Sequence, residues 1–150
     1  MQVEQNNNNQ QNKDQGFNID QIALGNEFVK FYYNSIDSDA MLLVDSLGNF
    51  LFREGSIFKL QGQDIQGQQN ILNTLINLKN RGVKHTIKNV DVLSSGHRRI
   101  NILVTGEMLL DGYKYTFSEF FHIGCVKKDS NWFIQSNILN IYFLAQIFLK

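Results

Sequence analysis

Three histidines, five tyrosines and 14 acidic residues are the groups of this 150-residue chain that could act as an acid or a base. His85 is the best candidate, with Tyr32, Tyr115 and Asp91 as candidate partners, because acid–base catalysis needs a titratable group in a dry cavity. Asp91 stands six residues after His85 in one β-rich run, about 20 Å at the rise of a strand, so the two side chains do not meet directly. The sequence therefore leaves open two roles for His85: a structural histidine, or the centre of a small-molecule pocket with Tyr32 and Tyr115.

The other candidates for chemistry form no recognisable site. His97 lies in a predicted turn and indicates a solvated loop, whereas His122 lies in an apolar strand and could face an interface. Cys125 is the only cysteine, which excludes an intramolecular disulfide and a cysteine-cluster zinc site. The sequence has no histidine, cysteine and aspartate set with metal-ligand spacing, no phosphate-binding glycine loop and no nucleophile elbow. We therefore predict no catalytic residue, no metal and no cofactor.

Charge and composition exclude further classes of function. The 14 basic and 14 acidic residues cancel, so the chain lacks the positive excess of a general nucleic-acid-binding protein. Hydrophobic residues make up 43% of the sequence, including 12 phenylalanines, which predicts a well-packed core. The length is that of one domain. These values predict a single folded domain that does not bind nucleic acid directly.

The chain divides into three parts. Residues 1–18 are rich in asparagine and glutamine and have few apolar side chains to bury, which predicts a disordered extension without the features of a secretory signal. Residues 19–143 form the predicted domain. Residues 144–150 continue an apolar C-terminal segment that begins near Ile138 and is too short to span a bilayer, which needs about 20 residues. We expect this segment to be a docking tail.

The periodicity of apolar residues predicts the elements of the domain. A helical stripe runs from Ile19 to Ile36, a short helix is predicted over 40–44, and a further helix contains Ile71 to Leu78. One or two strands are predicted over 50–60, and four β-rich runs follow over 85–93, 99–110, 113–126 and 132–143. Asp111-Gly112 between two of these runs is a hairpin signal. The order predicts an α+β fold whose helices cover one side of an antiparallel meander.

The predicted strands carry apolar residues at both alternating positions. The run over 113–126 has Phe121 on one face and Phe120 on the other, and the last run is also apolar on both faces. A sheet that is apolar on both faces needs two covers, and the helices supply only one unless a β-bulge shifts the alternation. The sequence therefore favours a second subunit as the other cover.

An ordered set of short blocks is similar to a known family. The blocks are Glu27-Phe28-Val29, Tyr32-Tyr33 and Asp37; Phe52, Ser56, Phe58, Gly62, Gly67 and Ile71; His85, Ile87 and Asp91; Gly106; Phe117 to Phe121; and Trp132 to Leu139. In this order the chain resembles the nuclear transport factor 2 family from about Ile19 to Phe143. The resemblance implies a cone, in which a curved antiparallel sheet wraps around a long N-terminal helix, and dimerisation through the open sheet face.

The family's homodimeric carrier of the GTPase Ran has acidic residues that the resemblance aligns with this chain. One aligns with Gln61, and of a pair of aspartates in a hairpin only Asp111 remains. A tryptophan of the carrier that helps to bind phenylalanine-glycine repeats aligns with Gln21. Replacing a charged contact by an amide forfeits about 1.5–3 kcal/mol, so these differences disfavour Ran as a partner.

A second branch of the family is the small cofactor subunit of the messenger RNA export receptor, which this chain resembles more. That resemblance implies a non-catalytic adaptor whose sheet face covers a related domain and completes a site for nucleoporin repeats. It also implies location in the nucleus, the cytoplasm and the nuclear envelope. The implied interface residues are Leu103, Phe120, Ile138, Tyr142 and Phe143. Two alternatives remain: a structural subunit of a larger assembly, and an enzyme or binder of small molecules that uses the pocket around His85.

Overall fold

The computed structural model describes residues 4–38, 51–126 and 131–143, with side chains from residue 21 onward. The elements in chain order are α1 (Glu4–Asp37), β1 (Phe52–Leu60), β2 (Gln63–Gln66), α2 (Gln68–Asn80), β3 (Lys84–Ser94), β4 (Arg99–Leu110), β5 (Tyr113–Gly124) and β6 (Phe133–Phe143). The short helix predicted over 40–44 and the tail over 144–150 lie outside the described residues. The predicted α+β architecture is confirmed.

The strands form one six-stranded sheet in the order β2-β1-β6-β5-β4-β3. The predicted meander of the last four strands is confirmed, since β3, β4, β5 and β6 pair with their sequence neighbours in antiparallel fashion. The sheet is mixed rather than wholly antiparallel, because β1 runs parallel to β6. Hairpin turns force neighbouring strands to be antiparallel, but β1 and β6 are far apart in sequence and no turn fixes their direction.

β-bulges curve the sheet and change which residues share a face. The β5–β6 register shifts between His122 and Ile123, so that Ile134 and Leu139 both reach the core although their alternation differs. A second shift lies in β3 between Ile87 and Asn89, opposite Gly106. A Cβ atom at Gly106 would lie 2.2 Å from the carbonyl oxygen of Thr86, so this close approach requires glycine.

The two helices cover one face of the sheet, which we call the inner face. The core residues of the helices are Phe28, Val29, Tyr32, Tyr33 and Ile36 in α1 and Ile71, Leu72, Leu75 and Leu78 in α2. Phe121 of β5 packs against two of them, with ring centroids 5.3 Å from Phe28 and 4.8 Å from Tyr32. The predicted helical stripe is correct except at Ile22, whose side chain is 46% exposed. The opposite face of the sheet is the outer face.

Helix α1 begins earlier than the sequence indicated. The apolar stripe predicts a start at Ile19 and a disordered extension before it, but α1 begins at Glu4 and includes residues 4–18. Asparagine and glutamine are tolerated in helices, the tract has no proline, and adding residues to a formed helix costs far less than nucleating one. Within the described part of the chain, neither α1 nor α2 contains a stretch that is long and apolar enough to cross a membrane.

Candidate functional site

Three apolar side chains of the outer face lie in register across neighbouring strands. Leu103 of β4 is opposite Phe120 of β5, and Phe120 is opposite Ile138 of β6. Residues that are directly opposite in a ladder point to the same face with Cβ atoms about 4.5–5.5 Å apart, so the three side chains form one continuous apolar row. Leu103 is 41% exposed and Ile138 39% exposed, while Phe120 is half-buried. No described helix covers this row.

Charged residues stand at both ends of the apolar row. In the same register Asp91 of β3 is opposite Leu103, and Lys59 of β1 is opposite Ile138. Lys59 forms an ion pair of 3.4 Å with Asp64 of β2. An apolar centre with a polar rim is the usual arrangement of a protein–protein interface. The row is therefore a candidate docking surface.

The outer face is less apolar than the sequence indicated. The β5–β6 bulge turns Ile134 into the core, and the neighbouring row on the outer face consists of Thr105, Ser118 and Asn140. The apolar surface is thus confined to the apolar row and to a few further residues. Ile57 and Leu109 belong to these further residues, each 38% exposed, and sequence reasoning missed them. Ile57 could have been found because it alternates with Ser56 and Phe58, which face the core.

The structure separates the two residues predicted at the edge of the interface. Tyr142 is opposite Thr116 and lies on the outer face with the apolar row. Phe143 is opposite Tyr115 and lies on the inner face, where its ring centroid is 5.3 Å from that of Tyr115. Consecutive residues of a strand point to opposite faces, so Tyr142 and Phe143 cannot contact one partner through the same face. Phe143 therefore does not share the outer face with the apolar row.

His122 and Asn101 occupy the outer face on the other side of the apolar row. The His122 Nδ1 and Asn101 Oδ1 atoms are 2.6 Å apart. Burial and the nearby Arg99 guanidinium lower the pKa of His122, so its neutral form is favoured. His122 therefore adds a polar group whose neutral form is favoured to the outer face.

His85 is held by Asp37 at the C-terminal end of α1, not by Asp91. The His85 Nδ1 atom lies 2.7 Å from Asp37 Oδ1, and the His85 backbone N–H donates to Asp37 Oδ2 over 2.8 Å. Lys79 Nζ donates to the carbonyl of Ile36 over 3.1 Å, a favourable place for a cation at a helix C-terminus. Asp91 instead accepts from Asn89 on the outer face. The His85–Asp37 pair thus ties the end of α1 to the start of β3.

A cleft of about 410 Å³ opens beside this pair, between α1 and β3. Val29, Tyr33, Ile87 and Val90 supply its apolar lining. The three residues predicted to form a pocket are not brought together here. His85 lines the cleft, Tyr32 is buried in the core, and Tyr115 is separated from His85 by Met108 in the ladder.

A buried carboxyl group that sequence reasoning missed lies in the core beside the two tyrosines of α1. Glu119 is 1% exposed, and its Oε1 accepts from the Tyr33 hydroxyl over 2.8 Å while its Oε2 accepts from Asn137 Nδ2 over 2.9 Å. Burial raises the pKa of Glu119 to about 7, even though both hydrogen bonds lower it. Burial likewise raises the pKa of Tyr32 and Tyr33. The signal was a single acid at a core-facing position between Phe117 and Phe121.

Comparison with known proteins fits this geometry. A sequence model of the Nuclear transport factor 2 (NTF2) domain matches residues 24–141. The chain belongs to the nuclear transport factor 2 family. It is 30% identical to nuclear transport factor 2 of Schizosaccharomyces pombe over 125 residues, which cover 81% of this chain and 96% of the relative.

Two solved structures show the same fold. Nuclear transport factor 2 from Cryptosporidium parvum is similar with a TM-score of 0.69 and 24% identity, covering 81% of this chain and 94% of the other. The yeast UBP3-associated protein BRE5 is similar with a TM-score of 0.64 and 21% identity, covering 79% of this chain and 93% of the other. The predicted nuclear transport factor 2-like cone is confirmed.

The two residues aligned with Ran contacts of the family are engaged within the chain. Gln61, in the β1–β2 turn, donates from Nε2 to the carbonyl of Ile141 over 2.8 Å and accepts from the Ile141 N–H over 3.0 Å. Asp111, in the β4–β5 turn, accepts from Arg81 Nη2 over 2.6 Å and from Arg81 Nε over 3.0 Å. The hydrogen bonds from Arg81 lower the pKa of Asp111. Gln61 therefore extends the pairing of β1 with β6, and Asp111 anchors the hairpin to the end of α2.

Proposed function

We propose that this chain is a non-catalytic, dimerising adaptor of nucleocytoplasmic transport that binds its protein partner through the outer face of the sheet. The observation that carries the proposal is the apolar row of Leu103, Phe120 and Ile138. Removing apolar surface from water contributes about 25 cal/mol per Å², and three adjacent half-exposed side chains concentrate this gain at one place. Hot spots of interfaces lie in such central, desolvated clusters.

The similar proteins support a role in protein binding. The curated relative from Schizosaccharomyces pombe is a nuclear transport factor, and BRE5 is described as the cofactor of a deubiquitinase in a complex. Both descriptions agree with a small domain that acts through another protein. We extend the proposal to residence in the nucleus and the cytoplasm, including the nuclear envelope, and to nucleoporin phenylalanine-glycine repeats as further ligands.

Within the family we favour the messenger RNA export cofactor branch over the carrier of Ran. Gln61 offers no charge to a basic partner, and both ends of its amide bond to Ile141. The Asp111 carboxylate is bound to Arg81. A partner that required acidic groups at these two places would have to displace existing contacts, which supports a partner other than Ran.

The polar groups of the inner face support a non-catalytic role. Asp37 accepts hydrogen bonds from both the ring and the backbone of His85. This arrangement joins the C-terminal end of α1 to the start of β3. The carboxyl of Glu119 already accepts from Tyr33 and Asn137. These groups are used to build the fold. The cleft beside His85 is the observation that favours the alternative, a small-molecule binder, and loss of a ligand-dependent thermal shift in His85→Gln would support it.

The adaptor proposal is tested by the mass of the native complex, measured by size-exclusion chromatography with light scattering. We expect a mass well above the 17.3 kDa of one chain for the wild type, made up of two copies or of one copy and a related domain. Ile138→Glu and Phe120→Glu should reduce it to one chain, because an unpaired charge in a desolvated interface costs several kcal/mol. Ile22→Glu is the matched control, since Ile22 is a similarly exposed isoleucine on α1.

The expected pattern is loss of the complex in the two outer-face variants and its retention in Ile22→Glu. Circular dichroism confirms that all three variants remain folded. If Ile138→Glu and Phe120→Glu keep the wild-type mass, the outer face is not the docking surface and the proposal is wrong.

A further inference from the structure

A second concave surface lies at the end of the sheet where β3 turns into β4, away from the apolar row. This cleft has a volume of about 440 Å³. Its walls are the loop and strand start over 95–99, Cys125 and Val126 directly after β5, and Gln135 of β6. Neither the apolar row nor the His85 pair contributes to it. We call it the arginine cleft, because Arg98 and Arg99 stand in its wall.

Hydrogen bonds from α1 hold the loop of the arginine cleft in place. Gln21 is 2% exposed, and its Nε2 donates to the carbonyl of Gly96 over 3.0 Å and to that of His97 over 2.9 Å. The hydroxyl of Ser94 donates to Gln21 Oε1. The Cys125 N–H donates to the carbonyl of Arg98 over 3.1 Å, which ties the loop to β5. The backbone that carries the two arginines is thus held in place before any ligand arrives.

Among the described residues, the side-chain hydrogen bonds of both arginines of the cleft go to neutral oxygens. Arg98 Nη1 donates to the carbonyl of Val126 over 2.5 Å, and Arg99 Nη1 donates to Gln135 Oε1 over 3.0 Å. Neither guanidinium is paired with a carboxylate within 4–38, 51–126 and 131–143. Arg81, by contrast, is paired with Asp111 over 2.6 Å. Each guanidinium has five N–H donors, so Arg98 and Arg99 keep most of theirs for a ligand.

We propose that the arginine cleft binds the oxyanion groups of an acidic segment of a partner protein. Guanidinium groups bind carboxylates and phosphates through two parallel hydrogen bonds, and these charge-assisted bonds are the strongest that side chains form. Two adjacent arginines on a fixed loop provide this chemistry in a chain whose overall charge is zero. The oxyanion is either the carboxylate of Asp or Glu or the phosphate of a phosphorylated residue. The site is independent of the apolar row.

Binding is measured by fluorescence polarisation of the full-length protein with two labelled probes, a hexaglutamate peptide and a phosphoserine peptide of equal length. We expect at least one probe to bind at an ionic strength of about 0.15 M, and its affinity to fall by about tenfold or more in the Arg98→Gln/Arg99→Gln double variant. The probe with the higher affinity identifies the source of the oxyanion. Lys30→Gln/Lys88→Gln is the matched control, because it removes the same charge from two lysines paired with Glu27 and Glu107.

The control variant should bind within about twofold of the wild type, because long-range attraction alone is weak once salt is present. If neither probe binds the wild type, or if the arginine and lysine variants weaken binding equally, the arginine cleft is not an anion site. Light scattering of the arginine variant shows the mass of the native complex. The peptide assay tests the arginine cleft and the mass tests the outer-face proposal, so the failure of one can be told apart from the failure of the other.

Discussion

The two faces of the central sheet solve the same physical problem in opposite ways. On the inner face, the buried carboxyl group of Glu119 finds partners within the chain in Tyr33 and Asn137, while Asn137 Oδ1 is buried without a hydrogen-bond partner among the described residues. On the outer face, Leu103, Phe120 and Ile138 form an apolar row that none of the described helices covers. The helices thus cover the inner face within one chain, whereas the apolar row of the outer face stays partly exposed to solvent.

This difference separates the residues that build the fold from those that are available for function. Polar residues in a core look like chemistry in the sequence, but His85 is held by Asp37 and supports the end of α1. Apolar residues in a strand look like core, but Phe120 faces outward. Residue type alone thus does not tell which face of the sheet a side chain occupies, whereas strand pairing and exposure do.

The largest effect on stability is expected from Phe121→Ala on the inner face, compared with Phe120→Ala on the outer face. Phe121 is fully buried against Phe28 and Tyr32, so Phe121→Ala should lower the free energy of unfolding by about 3–5 kcal/mol through loss of burial and an internal cavity. Phe120→Ala, one residue away on the outer face, should change the stability of a single protomer by less than about 1.5 kcal/mol and weaken association instead. Urea denaturation at low protein concentration measures both.

The outcome that contradicts the comparison of the two faces is equal destabilisation by the two substitutions. That result would mean that Phe120 is covered by the chain itself. Repeating the titration at high protein concentration provides the control, because a contribution from association increases with concentration, whereas a contribution from the core does not.

A smaller effect is expected from Glu119→Gln, and it depends on pH. The pKa of Glu119 is raised from 4.5 to about 7 in the folded chain, so folding favours its protonated form. Its contribution to stability is fully present below pH 4.5 and is lost as the pH rises through about 7. Since one pKa unit corresponds to about 1.4 kcal/mol, the variant should gain up to about 3 kcal/mol over the wild type between pH 4.5 and pH 8.

The difference between the urea-unfolding free energies of Glu119→Gln and the wild type is measured as a function of pH. A rise across this range is expected, because glutamine keeps the shape of the side chain and cannot ionise. A difference that stays constant with pH would show that Glu119 ionises normally and that its burial has little effect. Glu107→Gln, which removes a carboxylate of the outer face that pairs with Lys88, is the control for the loss of one negative charge.

The smallest effect is expected from Gln61→Ala. The substitution removes two solvent-exposed hydrogen bonds to the backbone of Ile141. Their loss should lower the free energy of unfolding by about 1 kcal/mol. Thermal unfolding measures the loss, and Gln63→Ala in the neighbouring exposed strand β2 is the control. If Gln61→Ala is as stable as the control, the bonds of Gln61 do not strengthen the β1–β6 pairing. Gln61 would then be available to a partner.

Part of the fold could be predicted because local signals dominate it. The period of apolar residues located α2 and most of α1, and Asp111-Gly112 located the β4–β5 hairpin, where both residues have positive φ values of 54° and 83°. Sequential hairpins then required an antiparallel meander. These features depend on neighbours in the chain, which a sequence shows directly.

The sites depended on contacts that periodicity does not encode. The β5–β6 bulge moved Ile134 to the inner face and left a narrower apolar surface than the alternation indicated. Phe143 was assigned to the interface although it lies on the inner face beside Tyr115, and Ile57 was missed. A single extra residue in a strand reverses every side chain beyond it, which explains the position of Ile134. Phe143 is different, because no bulge separates it from Ile138 and regular alternation alone puts the two on opposite faces.

The sequence by itself determined the family and the order of the described helices and strands, and the family resemblance suggested that Leu103, Phe120 and Ile138 share one face of the sheet. These depend on residue types at short spacings. Only the tertiary structure decided that Asp37 holds His85, that Glu119 lies in the core with a raised pKa, and that β1 runs parallel to β6. The physical reason is distance along the chain: these contacts join residues tens of positions apart, and their energies depend on burial, which exists only once the chain has folded.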